Sequence, residues 1–331
     1  MTQPLLDVVA VGNAIVDVIA QSDDAFLAQH ALTKGGMQLI DAETADLLYS
    51  QMGAAMEVSG GSAANTLAGL AALGRKCGFI GQVADDQLGQ IFAHDIQALG
   101  VTYTTALAKD GPPTARCLVL VTPDAQRTMN TFLGASQHLP AAALDADLIR
   151  SASILYLEGY LWDPDQPRQA MRSAIDIARQ AGRKIAFTLS DGFVIERHRD
   201  DFMDLIEQGL IDILFSNEAE IQALTRIDGF DKAVAAVAAK VPLLVSTRSE
   251  QGAVAIADGV RHEVAAAPVA QVVDTTGAGD LFAAGFLAAH VEGKDIEQCL
   301  KLGAMAAAEV ISHYGARPEA DLVALRTAAN L

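Results

Sequence analysis

Cysteine is scarce in this chain, and what there is does not pair. Cys77, Cys117 and Cys299 lie far apart and leave an odd count. Neither a disulfide framework nor a zinc site fits that spacing, and a reducing cytoplasm is the expected compartment. Basic charge is also short: 23 Lys and Arg stand against 41 Asp and Glu, a net charge of -18. Such a field repels phosphate backbones and anionic lipid, so neither nucleic acid nor a membrane is an expected partner. No apolar run approaches membrane-spanning length, and no basic stretch followed by an apolar core precedes the first apolar run. Aromatic residues make up only 5% of the chain while hydrophobic residues reach 51%. The core must therefore be built from close-packed Ala, Val, Leu and Ile, which suits helices lying on a sheet.

What is present is a rhythm of short apolar runs: Asp7-Gly12, Gly78-Val83, Cys117-Thr122, Ile154-Gly159, Lys184-Leu189, Ile211-Phe215, Leu243-Thr247 and Ala253-Ala257. Several are apolar at consecutive positions, as strands buried on both faces are. Ala-rich helical stretches separate them, at Ser62-Leu73, Gln166-Ala181, Ala233-Lys240 and Ala278-Val291. The alternation predicts a doubly wound α/β fold, a mainly parallel sheet with helices on both faces, in one domain spanning 1-331. Two regions break the rhythm, about 13-40 and about 100-135. There Val101-Ala106 and Arg127-Leu133 alternate like antiparallel strands, and together the two regions predict a small β-sheet lid over the strand ends.

The segment from Val272 to Gly285 has the most chemistry in it. An apolar, strand-like run leads to Asp274, Thr275 and Thr276, then to Gly277-Ala278-Gly279-Asp280 at the mouth of a helix. Unpaired N–H groups and the positive end of the helix dipole make an anion site there, suited to the charge on a phosphoryl group in transfer. Asp280 beside it can act as a general base toward an alcohol. The same residues would equally serve as a helix cap and a tight turn.

Three further patterns carry the same double reading. Gly60-Gly61 leads into a helix with Asn65 one turn in, either a ligand's approach to the backbone or a tight turn before close packing. Asn13 and Asp17 follow the first apolar run, either as hydrogen-bond partners for sugar hydroxyls at the carboxyl edge of the sheet or as an Asn turn and a solvated Asp. Asn217 and Glu220 form a capping-box pattern, and Glu220 also suits the water shell of a nucleotide-bound magnesium ion. There is no G-x-x-x-x-G-K-[ST] loop, and Phe282 stands where a dinucleotide fingerprint needs its third glycine. His198-Arg199-Asp200 spells a protein-kinase triplet, but Leu205 replaces the asparagine that motif requires.

Taken in order, Gly60-Gly61 with Asn65, Asn217-x-x-Glu220 and Asp274 to Asp280 make the chain resemble the ribokinase-like, or PfkB, carbohydrate kinase family over almost its whole length. Gly12-Asn13-x-x-x-Asp17, Ile211 to Phe215, and Leu189-Ser190 followed by Phe193 resemble its nucleoside-phosphorylating branch. The resemblance implies ATP-dependent phosphorylation of a hydroxymethyl group on a ribose-like sugar. Asp280 is then the base, and Gly277, Ala278 and Gly279 form the anion hole. Asn13, Asp17, Gly60, Gly61 and Asn65 hold the sugar, Arg127 reaches in from the lid, and Tyr160 and Leu161 lie near the base of the nucleoside. Asn217, Glu220, Thr247, Ser249, Gly252 and Thr275 fall on the nucleotide side, with Mg2+ held by Glu220 through water. K+ near Asp274 and the Ala306-Gly315 segment is a further implication of the family, as is a monomer or homodimer. Ser249 departs from the family pattern by replacing a glycine of T-x-G-x-x-G, which bears on the local loop conformation.

Two other functions remain open at this point. One is another sugar kinase of the family, acting on free ribose, fructose or a ketodeoxygluconate. The other is a noncatalytic nucleoside-binding regulator that keeps the fold.

Overall fold

The computed structural model describes residues 5–124 and 126–331. Their strands, in chain order, are β1 (Leu6–Val11), β2 (Ile15–Gln21), β3 (Met37–Leu39), β4 (Ala55–Gly60), β5 (Cys77–Ile80), β6 (Thr102–Tyr103), β7 (Ala115–Val121), β8 (Arg127–Phe132), β9 (Ala152–Glu158), β10 (Lys184–Thr188), β11 (Ile213–Asn217), β12 (Leu243–Thr247), β13 (Ala253–Ala257) and β14 (Val260–Val264). They form two sheets, one of nine strands in the order β14-β13-β12-β11-β10-β9-β1-β5-β6 and one of five in the order β3-β8-β7-β2-β4.

The large sheet is parallel from β6 through β12 and ends in the antiparallel pairs β12–β13 and β13–β14. Val8, Val9, Ala10 and Val11 are all fully buried, and their side chains divide between two hydrophobic clusters, one on each face. Helices cover both faces, which is why the central strands are apolar at every position. Burial of each such valine is worth roughly 1.5–3 kcal/mol, so a polar substitution in β1 would be among the most damaging in the chain.

The small sheet is built differently. In β2 burial alternates along the strand, with Val16, Val18 and Ala20 wholly or almost wholly inside. Val16 and Val18 share a buried cluster with Leu27 and Leu48, which lie on helices Asp24–Gln29 and Ala42–Gln51. The opposite face carries Asp17, in register with Cys117 of β7, which is in turn in register with Thr131 of β8.

Three expectations need correction. Cys117-Thr122, read with the main strands, belongs to the small sheet as part of β7. Val101-Ala106, expected in the lid, instead supplies Thr102 and Tyr103 to the edge of the large sheet beside β5. One of the small sheet's two edge strands, β4 at Ala55–Gly60, lies outside the segments 13-40 and 100-135. Periodicity reports burial on one face or two. It does not say which sheet supplies the burial.

Candidate active site

The carboxyl ends of β1, β9, β10, β11 and β12 lie along one edge of the large sheet, where ligands bind in open α/β folds. From β1 the chain runs through Gly12 and Asn13 into β2, so the small sheet starts directly above this edge. Asn217 at the end of β11 is in register with Thr247 at the end of β12, which groups those two nucleotide-side residues on neighbouring strands.

Asp280 lies in the first turn of helix Ala278–Val291 and does not cap it. Its Oδ1 accepts from Ser62 Oγ at 2.6 Å and its Oδ2 from Asn65 Nδ2 at 3.2 Å, both on helix Ser62–Ala72. The two helices can come this close because Gly69 has no side chain. A Cβ there would sit 2.6 Å from Leu281 and 2.7 Å from Ala284. Burial pushes the Asp280 carboxyl up to about 6, against the pull of the bonds from Ser62 and Asn65. A carboxylate with that affinity for a proton is ionised near neutrality and basic enough to take one from an alcohol.

Gly277 begins this helix with φ of 77°, and a Cβ on it would meet the backbone of Ala316 at 2.8 Å. Both the left-handed backbone and the close neighbour require glycine. Among the described residues the N–H groups of Gly277, Gly279 and Asp280 have no acceptor, whereas Ala278 N makes a 3.3 Å turn bond to Thr275 O. The anion hole expected of Gly277 to Gly279 thus has free donors at both glycines and a partly engaged one at Ala278. The residues before it form no strand, contrary to the sequence reading. Val273 and Asp274 instead both donate to the carbonyl of Ile311. Asp274 accepts from Thr276 N and Oγ1 and from Gly315 N, and it pairs with Arg127 from the small sheet.

The expected sugar residues converge, with one partner that the sequence did not reveal. Glu158, at the end of β9, is fully buried; its Oε1 accepts from Asn13 N and Nδ2 at 2.7 and 2.6 Å, and its Oε2 accepts from Ala63 N at 2.7 Å. Burial pushes this carboxyl up to about 7 against those three bonds. Its only signal in the sequence is an acidic residue closing an otherwise apolar strand. Gly61 has φ of 99°, and the space a Cβ would need is filled by the carbonyl of Asn13 at 2.2 Å. The close approach at Gly61 is therefore the protein's own backbone. Asp17 is half-buried and accepts no hydrogen bond among the described residues, and burial raises it to about 6 against the opposing charges of Arg127 and Arg317.

Elsewhere the expectations divide. Asn65 Oδ1 is buried without a partner, an acceptor facing the same region as Asp280. Tyr160 is half-buried against Phe193, with ring centroids 6.0 Å apart, whereas Leu161 is fully buried in the core and presents no surface to a ligand. Asn217 and Glu220 form the complete capping box, with both Glu220 oxygens engaged by Asn217. Burial still raises Glu220 to about 7, helped by the neighbouring charges of Asp191 and Asp280. Thr275 is exposed. Ser249 adopts a φ of 50°, the left-handed conformation that glycine would take more easily, so the loop keeps its shape at some cost in strain.

A basic carboxylate beside unpaired N–H donors at a helix mouth, on the carboxyl edge of a doubly wound sheet, defines a phosphotransferase with an alcohol group as acceptor. The model of the pfkB family carbohydrate kinase matches residues 6–321, and the chain belongs to that family. It is 47% identical to an adenosine kinase from Sinorhizobium meliloti of known structure, covering 98% of this chain and 99% of that one with a TM-score of 0.91. It is also 47% identical to a probable sugar kinase from Rhizobium etli, covering 99% of each chain with a TM-score of 0.92. The adenosine kinase of Saccharomyces cerevisiae is 27% identical over 95% of this chain and 96% of that protein.

Proposed function

We propose that the protein transfers the γ-phosphoryl group of ATP to the 5'-hydroxymethyl of a nucleoside, with adenosine as the acceptor. The observation that carries this reading is the Asp280 carboxylate, held by Ser62 and Asn65 beside the free N–H groups of Gly277 and Gly279. The identity of 47% to the S. meliloti adenosine kinase supports a nucleoside over other alcohols.

In this reading Asp17 and the Asn65 carboxamide oxygen bind sugar hydroxyls, since both are acceptors without a protein donor among the described residues. Glu158 holds Asn13 and the start of helix Ser62–Ala72 in place, which orients Ser62, Asn65 and so Asp280. Asp280 takes the proton of the attacking hydroxyl while the N–H groups of Gly277 and Gly279 receive the charge on the phosphoryl oxygens. Mg2+ bound with the triphosphate would further neutralise that charge, and Glu220, oriented by the bonds its two oxygens accept from Asn217, would hold it through water. The small sheet acts as a lid that excludes water, a competing acceptor.

A free sugar is the alternative acceptor, given the equal identity to the R. etli protein. Phosphorylation assays with adenosine, inosine, guanosine, ribose, fructose and ketodeoxygluconate decide between them. Turnover confined to free sugars rejects the nucleoside reading. Tight binding of ATP and adenosine without product would mark a regulator instead of an enzyme.

A further inference from the structure

The short segment Gly315 to Arg317 touches both halves of the cleft. Gly315 N donates to Asp274 Oδ2 at 3.1 Å, and the backbone of Ala316 occupies the space that keeps residue 277 a glycine. The next residue turns the other way. Arg317 Nη1 donates to Ser59 Oγ at 2.6 Å, and that hydroxyl in turn donates to Asp95 Oδ2 at 3.1 Å. Ser59 immediately precedes Gly60-Gly61. Arg317 Nε and Nη2 are buried without a partner, a costly state for a guanidinium unless the surroundings supply charge of the opposite sign.

That charge comes from Asp95 and, beyond it, Asp17. Burial lowers Arg317 to about 10, while Asp95 and Asp17 hold it up. The charged groups facing Asp17 are Arg127 from β8 and Arg317, and the Cys117 thiol faces it from β7. Arg127 leaves its Nε unpartnered but is paired with Asp274, whereas Arg317 pairs with no carboxylate among the described residues and leaves two buried nitrogens without an acceptor.

We infer that Arg317 is a positioning residue for the phosphoryl acceptor: it fixes the Ser59–Gly61 turn to the segment bracing the phosphate turn, and sets a positive charge opposite Asp17. The carboxylate is thereby kept in the form that accepts hydrogen bonds from sugar hydroxyls. This inference rests on the reading of Asp17 as a partner for those hydroxyls.

The test compares Arg317→Gln and Arg317→Lys with the wild-type chain, using ATP and whichever acceptor of the nucleoside and sugar panel is turned over. Acceptor affinity is also measured by calorimetry between pH 5.5 and 8, with adenosine and ribose as probes, so that the result does not depend on turnover. Arg317→Gln is expected to raise the acceptor KM roughly tenfold with the ATP KM within about twofold, and to move the acid limb of acceptor binding upward by about half to one pH unit. Arg317→Lys should restore the limb, because the charge returns, without restoring the full affinity, because the bond to Ser59 is lost. An unmoved limb in Arg317→Gln overturns the inference, as does an equal rise in both KM values with a lowered melting temperature. Phosphorylation of free sugar alone would reject the nucleoside reading while leaving the limb measurement on that sugar decisive for Arg317.

Discussion

Arg127 of β8, in the small sheet, pairs with Asp274 of the phosphate turn, with only 9% and 6% of their side chains exposed. Removing either partner leaves the other charge buried, which costs about 3–5 kcal/mol where it has been measured. Arg127→Gln and Asp274→Asn should each lower stability by that order, and the double variant should lose less than the sum. A denaturant-melt double-mutant cycle checks this, and additive losses would show that the pair is not coupled.

Asp280→Asn should lower kcat by roughly 10²- to 10⁴-fold, the usual contribution of a positioned base. The amide keeps the shape of the carboxyl, so calorimetry should find acceptor binding within a few-fold of wild type. Comparable kcat in the variant would remove Asp280 from the chemistry.

The proton affinity of Asp280 gives a pH profile with a definite sign. Its carboxyl is raised to about 6 by burial, and the base works when ionised, so kcat should climb as pH rises through about 6. Ser62→Ala deletes a bond that favours the ionised form, and its acid limb should move to higher pH. Stability runs the other way. A carboxyl raised in the fold binds its proton more tightly there than in the unfolded chain, so its contribution is full at acid pH and lost as pH passes about 6. Melts of wild type and Asp280→Asn should therefore favour the variant increasingly as pH rises from about 4 to about 6, and by a constant margin above that.

Gly277→Ala and Gly279→Ala make a matched contrast. At 277 the alanine meets a left-handed φ of 77° and the Ala316 backbone at 2.8 Å, whereas at 279 nothing lies within 4 Å of the added Cβ. The first should lose at least about 1–2 kcal/mol of stability from the backbone conformation alone. The second should melt with wild type. Equal melting temperatures for the two would contradict the geometry of this turn.

The buried parallel strands were legible because helices on both faces make every position apolar, as in Val8 to Val11. Helix Ala278–Val291 was legible to the residue at both ends, its start marked by Gly277. The edge strand β4 escaped because Met56 and Glu57 give it no clear alternation and it is exposed at Ala55 and Met56. At the site, Asp280 and its glycines announce themselves within a few residues of sequence. Glu158 and Arg317 do not, because their partners Asn13 and Ser59 lie 145 and 258 residues away. Local spacing carries motifs, whereas second partners brought in by the fold leave only an isolated charged residue to read.

All three native thiols lie inside the protein, and burial pushes Cys117 and Cys299 up to about 12 and Cys77 higher still. As thiolates are the reactive form, alkylating reagents at neutral pH should pass over all of them. A cysteine introduced at Met37, 42% exposed on the outermost strand of the small sheet, could then take a fluorophore without altering the native residues. The wild-type background thus becomes a ready platform for testing whether the small sheet moves toward the large one when ligands are added, as the proposed lid requires.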